Sequence, residues 1–239
     1  MLGDDGVAFL RLKGDERAER APEGTPGLFH TAFVVPERRD LGLWLRHAAT
    51  QRVVIEGMSD HLVSEAIYLS DPEGNGIEMY RDRPRAEWTH VGSRVKMANA
   101  RLDAGSLLAL ADAKAPQAPF RLAPGARVGH VHLCVNELEA ASTAVDAGLG
   151  LALMCEYPGA SFFGSGGYHH HLATNIWRAA GRRMRNAGQA GLSRILLAAT
   201  DEAAHADMAA RLAKLPEAKT GTGATVLDGI TFDLAPRIS

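Results

Sequence analysis

With 26 lysines and arginines against 28 aspartates and glutamates, the 239-residue chain carries a formal net charge of -2, which gives no reason to expect nucleic acid or an anionic membrane as its main partner. Its length suits one large domain or two small ones, and its 46% hydrophobic content is enough to bury a core. No apolar run approaches the roughly 20 residues of a membrane-spanning helix, none is flanked like a signal peptide, and Cys134 and Cys155 lie inside apolar segments, as in a reducing compartment; a cytoplasmic location is the expectation.

Hydrophobic periodicity gives the elements in chain order. A short strand is expected over Val7 to Leu12, then a charged loop with Pro and Gly reaching Gly27, then a strand from Leu28 to Val35. A helix is expected from Arg38 to Thr50, because Leu41, Trp44, Leu45 and Ala48 recur at helical spacing on one face. Strands follow near Val53 to Glu56, Ala66 to Ser70 and Gly76 to Arg81. Between the last two, Asp71-Pro72-Glu73-Gly74-Asn75-Gly76 has the composition of a tight connection. From Asp82 to Gly125 the pattern gives way to a linker that also packs, with Pro84, Trp88 and a helical patch from Leu107 to Ala111. It restarts with strand Arg127 to Val135, helix Glu137 to Ala147, and strands Leu151 to Glu156, Ala160 to Gly164 and Tyr168 to Trp177. A shorter last unit is expected to run strand Ser193 to Ala199, helix Glu202 to Leu215, and strands Thr225 to Leu227 and Ile230 to Leu234.

This order is an internal repeat. Gly27-Leu28-Phe29-His30, Gly129-His130-Val131-His132 and Gly191-Leu192-Ser193-Arg194 each open a strand that leads into a helix and then more strands. The fold class expected is therefore α+β, built of tandem βαβββ modules. The domains expected are residues 1–85, a linker with a packed helix at 86–125, and residues 126–239. The first domain begins with what reads as the final strand of its opening module, so that module is expected to be incomplete.

Alternation along the strands sets the candidate chemistry. Leu28, His30, Ala32 and Val34 share one face of their strand, and Glu78 and Tyr80 share one face of theirs. A curved sheet bringing both to one cavity would set an imidazole beside a carboxylate, a partial site for a divalent metal. Two histidines with one carboxylate would suit non-haem Fe(II), and two with two carboxylates Zn or Ni. The competing interpretation is a hydrogen-bonded core histidine and an edge-strand charge.

The segment from Asp60 to Glu78 resembles the corresponding stretch of the extradiol ring-cleaving dioxygenases, which belong to the vicinal oxygen chelate superfamily with glyoxalase I and the bleomycin-resistance proteins. The family pattern is a His, then a Tyr, then Asp-Pro-x-Gly-Asn, then a metal-binding Glu ten residues after the Tyr, and Tyr68 to Glu78 keeps that spacing. Gly-Leu-Phe-His30 fits the family's second metal histidine. His61 stands a little closer to Tyr68 than in the catechol 2,3-dioxygenases. The resemblance implies modules paired into barrel-like sheets, the vicinal oxygen chelate fold. It implies His30 and Glu78 as metal ligands, Tyr68 as a hydrogen-bond donor to a substrate oxygen, and His61 as a group that moves a proton. The family's first metal histidine belongs to the opening strand of the first module, which reads as absent before Met1. The third ligand would then come from an upstream start or a neighbouring subunit, or this version of the chain would be impaired.

In the second half, His130, His132 and Cys134 share one strand face, and His169, His171 and Asn175 share another, with His170 opposite. Gly-His-Val-His132 and Gly-Gly-Tyr-His169-His170-His171 resemble segments of two-domain bacterial catechol 2,3-dioxygenase-like proteins, a resemblance that spans roughly Gly3 to Leu234. His130 matches a ligand position of the superfamily. The repeat, however, sets Arg194 where a second histidine would stand and Thr231 where the glutamate would. His130, His132, His169 and His171 are therefore weighed as a second metal group against a pocket-lining cluster, the latter favoured. Arg81-Asp82-Arg83-Pro84-Arg85 is expected to be a solvated, salt-bridged exit from the sheet. Gly164-Ser165-Gly166-Gly167 lacks the lysine and following helix of a phosphate-binding loop and is expected to be a plain turn.

The function expected is Fe(II)-dependent extradiol cleavage of a catechol-like aromatic diol, with a small aromatic substrate and O2 as partners, in aromatic compound catabolism. Mn(II) or Zn(II) are the alternative metals, and a homo-oligomer is left open. Two further functions compete: a metal-free or metal-poor small-molecule binding protein of the bleomycin-resistance type, and a glyoxalase-like lyase, which would need a second carboxylate ligand.

Overall fold

The computed structural model describes residues 2–4, 7–111, 120–186, 188–215 and 224–235. Two compact units divide the chain, residues 1–14 with 29–131 and residues 15–28 with 132–239. The packed segment after Asp82 thus belongs with the first unit.

In the first unit, β1 (Leu2–Asp4) and β2 (Val7–Leu10) form an antiparallel pair. The main sheet is built from β3 (Gly27–Val34), β4 (Gly57–Asp60), β5 (Ser64–Ser70) and β6 (Gly76–Asp82). After a short pair, β7 (His90–Val91) and β8 (Arg94–Val95), the strand β9 (Ala100–Arg101) adds to its edge. With β10 (Arg127–Cys134) the order is β10-β3-β6-β5-β4-β9. The β3–β6 pair is parallel, and β5–β6, β4–β5 and β4–β9 are antiparallel.

Two helices, α1 (Arg38–Thr50) and α2 (Ala104–Leu110), lie on the face where Phe33, Ile67 and Met79 pack with Leu41, Leu45 and Leu107. Asp40 accepts the Glu37 main-chain N–H at 3.0 Å and closes the first turn of α1. Residues of the same strands on the other face, Ala32, Val34, Ala66 and Tyr80, form a smaller buried cluster. The alternation read from the sequence therefore holds: one face of β3 meets the helices, and the face carrying His30 does not.

An ion network fixes the helices to this sheet. The Glu65 carboxylate receives Arg38 at 2.8 Å and Arg81 at 2.7 Å, and Arg38 also donates to the Ser106 hydroxyl at 2.6 Å. Arg81 is buried, so it is not part of a solvated exit.

In the second unit, α3 (Leu138–Leu149) follows β10, then β11 (Ala152–Tyr157), β12 (Ala160–Gly164) and β13 (Leu172–Asn175). These strands run in the order β11-β12-β13. The last repeat makes its own three-stranded sheet, β14-β16-β15, from β14 (Arg194–Leu197), β15 (Ala224–Leu227) and β16 (Ile230–Leu234), with α4 (Glu202–Leu212) between the first two in sequence.

Three expectations shift. The β-branched pair Val53-Val54 does not start a strand; Arg52 takes φ +56 and both valines are exposed. The strand begins at Gly57, where pairing with Tyr68 starts. The strand expected from Tyr168 begins only at Leu172, because Gly166 and Gly167 turn the chain at positive φ and Tyr168 N–H donates to Ser165 O at 3.0 Å. The segment read as a linker supplies β9, which pairs Ala100 with Asp60 and Arg101 with Ser59.

Candidate metal centre

His30 stands on β3 and Glu78 on the neighbouring β6, where the parallel register sets Gly76 beside His30 and Glu78 beside Ala32. Residues two apart share a face, so the imidazole and carboxylate meet across the ladder. On the other side of β3, β10 carries His130. Its Nε2 lies 3.2 Å from Glu78 Oε2, and His30 Nε2 lies 3.0 Å from the same oxygen. All three side chains are buried, and one donor atom from each falls within 4.8 Å of the others. Among the described residues this is the only group of three or more His, Cys, Asp or Glu side chains so arranged.

Two glycines make room. A Cβ at Gly76 would run into the Phe29 carbonyl and His30 Cβ, and one at Gly129 into the Tyr80 hydroxyl. Tyr80, fully buried, lies with its ring centroid 4.9 Å from that of His130.

Burial pushes the Glu78 carboxyl up, but the adjoining His130 and His30 more than reverse this and hold it well below the usual carboxylate range. The carboxylate is thus ionised between two imidazoles. Burial, with the charge of Glu78 and a hydrogen bond to it, pushes the Tyr68 phenol well above its ordinary value. Tyr68 is the direct antiparallel partner of Glu78, and its hydroxyl lies 2.7 Å from His61 Nε2. The single phenolic proton therefore has two acceptors within reach, Glu78 and His61. The other ring nitrogen of His61, Nδ1, lies 2.9 Å from the Ala98 carbonyl oxygen.

The expected first-half residues His30, His61, Tyr68 and Glu78 are thus brought together. His130, read from the sequence with the second-half histidines, stands instead in the first unit as the third donor. His132, His169 and His171 are not in this group. The amide of Asn175 lies 2.9 Å from His132 Nε2, between β10 and β13. His169 Nδ1 lies 2.8 Å from His170 Nδ1, and His171 Nδ1 accepts from the Ser165 N–H at 3.3 Å. The face-sharing of His169 and His171 falls away because neither is in a strand.

Sequence reasoning did not find the Ala98 carbonyl, which no side chain announces. The signal for His130 was present, since the repeat marked β10 as an opening strand like β3. The donor set, two imidazoles and one ionised carboxylate, all buried, fits a divalent metal ion of the non-haem iron type.

A curated relative, the catechol-2,3-dioxygenase of Bacillus subtilis, is 38% identical over 187 residues, 76% of this chain. The chain spans 63% of that relative's length. A solved structure of a candidate dioxygenase from Bacillus subtilis matches with a TM-score of 0.53 at 13% identity, over 89% of this chain and 62% of that one, a likeness of fold. No family model matches the chain. The strands that carry the buried donors on one face of a βαβββ sheet, with that relative and that solved chain, give this chain the vicinal oxygen chelate fold.

Proposed function

We propose that the chain is an Fe(II)-dependent extradiol ring-cleaving dioxygenase acting on a catechol-like aromatic diol. The observation that carries this reading is the buried set His30, Glu78 and His130 with Tyr68 and His61 beside it. His30, His130 and Glu78 would hold the metal. When bound, Fe(II) supplies open positions at which a deprotonated diol and O2 come together. Tyr68, whose phenol stays protonated, donates a hydrogen bond to a diol oxygen. His61 takes up and returns the proton that the diol gives up. The buried side chains around the centre exclude water from it.

The glyoxalase-like reading needs a second carboxylate. Glu65, the other carboxylate buried in this unit among the described residues, is held by Arg38 and Arg81 in the ion network, which favours the dioxygenase. An ionised carboxylate buried between two imidazoles is a costly arrangement for a metal-free binding protein. No helix among the described residues is long and apolar enough to cross a membrane.

The test is O2 uptake with catechol and alkylcatechols after anaerobic loading with Fe(II), with Mn(II) and Zn(II) as comparisons. We expect stoichiometric O2 consumption and a coloured ring-opened product with Fe(II). A metal-loaded protein that binds catechols without consuming O2 would overturn the proposal.

A further inference from the structure

We propose that the main-chain carbonyl of Ala98 is a positioning group for His61, fixing its imidazole as the Nδ1–H tautomer and keeping Nε2 as a proton acceptor toward Tyr68. The chemical consequence rests on the dioxygenase reading; the geometry does not.

A carbonyl oxygen carries no proton, so a hydrogen bond between it and His61 Nδ1 at 2.9 Å requires the proton on Nδ1. In the neutral ring Nε2 then holds a lone pair, and the Tyr68 hydroxyl 2.7 Å away donates to it. In water a neutral histidine favours the other tautomer, which would present an N–H at this point and could accept nothing.

The backbone on both sides holds the arrangement. Ala98 N–H donates to the His61 carbonyl at 3.3 Å, so the two residues are joined main chain to main chain as well as main chain to ring. The pairing of Ala100 with Asp60 in the β4–β9 ladder fixes the segment after Ala98, and Lys96 N–H donates to Thr89 O at 2.8 Å before it. His61 itself is set by a tight turn. Its N–H donates to Ser64 O at 2.8 Å, and Leu62 N–H donates to Asp60 Oδ1 at 2.9 Å. Leu62 takes φ +68, a left-handed conformation that a branched side chain rarely adopts. Such an outlier persists where its surroundings over-determine it, and here it points His61 at both Ala98 and Tyr68. The consequence for the reaction is directional: His61 begins as a base and takes the proton that the diol gives up.

The test is a long-range proton–nitrogen correlation spectrum of the metal-free full chain, with nitrogen-15 histidine, at pH about 8 where imidazoles are largely neutral. Sequential assignment through the His61 amide identifies the ring without any substitution. We expect Nδ1 at the protonated position and Nε2 at the unprotonated one, unchanged in Tyr68→Phe, because Ala98 sets the tautomer. An Nε2–H ring in the wild type would overturn the inference. So would a switch to Nε2–H in Tyr68→Phe, which would make Tyr68 the determinant. Neither result depends on iron. A chain with the expected tautomer and no O2 uptake defeats only the dioxygenase reading, and an active dioxygenase with the other tautomer defeats only this one.

Discussion

Among the described residues, two carboxylates of the first unit are buried, Glu65 and Glu78, and their surroundings differ in a way that separates scaffold from chemistry. Glu65 faces guanidinium groups, which never lose their protons and cannot bind a metal. Glu78 faces imidazoles, which in the neutral form are metal ligands. Burial pushes the Glu65 carboxyl up, but hydrogen bonds from Arg38 and Arg81 hold it below its ordinary value. A carboxyl with a lowered folded-state pKa binds fewer protons folded than unfolded. Its contribution to stability is therefore complete above the unfolded value of about 4.3 and is lost as pH falls through the lowered folded value. Glu65→Gln leaves Arg81 buried without its counter-charge and is expected to cost roughly 3–5 kcal/mol at neutral pH. Urea unfolding from pH 7 to pH 3 should show the gap between wild type and variant narrowing toward the acid end. A constant gap would mean the ion pairs are not what the variant loses.

At the scale of elements, the site depends on how closely β3 and β6 approach. Gly76 stands directly beside His30, and its missing side chain leaves space for the Phe29 carbonyl. That neighbour is backbone and cannot rotate away, so Gly76→Ala should force β6 outward, costing about 1–3 kcal/mol and weakening metal retention. Chemical denaturation and metal content check this together; a variant of unchanged stability and loading would show that the ladder can widen freely. Much of this layer was legible. Alternation gave the faces of β3 and β6, helical spacing gave α1, and the Asp71–Gly76 composition gave the turn, in which Asp71 accepts the N–H groups of Glu73 and Asn75. What was not legible depends on pairing and on backbone atoms. β-branched valines at 53 and 54 look like a strand, but Val53 N–H donates to Ala48 O at 2.9 Å behind α1 and both side chains are exposed. The role of Ala98 belongs to a carbonyl oxygen, which every residue has.

For the whole molecule, the repeat was the strongest signal, and it carried the fold. The resemblance around Tyr68 and Glu78 pointed to the family, and a relative 38% identical agrees with it. It left the third ligand open, because His130 lies in the next repeat of the sequence, 52 residues beyond Glu78. Only the order of strands in the sheet makes β10 the neighbour of β3. The proposed function requires that His30, Glu78 and His130 form one metal centre within this chain. The most direct measurement is the iron content of the anaerobically loaded wild type and of His30→Ala, Glu78→Ala, His130→Ala and His132→Ala. About one iron per chain is expected in the wild type and in His132→Ala, and near-complete loss in the other three. Full iron in His130→Ala, or none in the wild type, would contradict it.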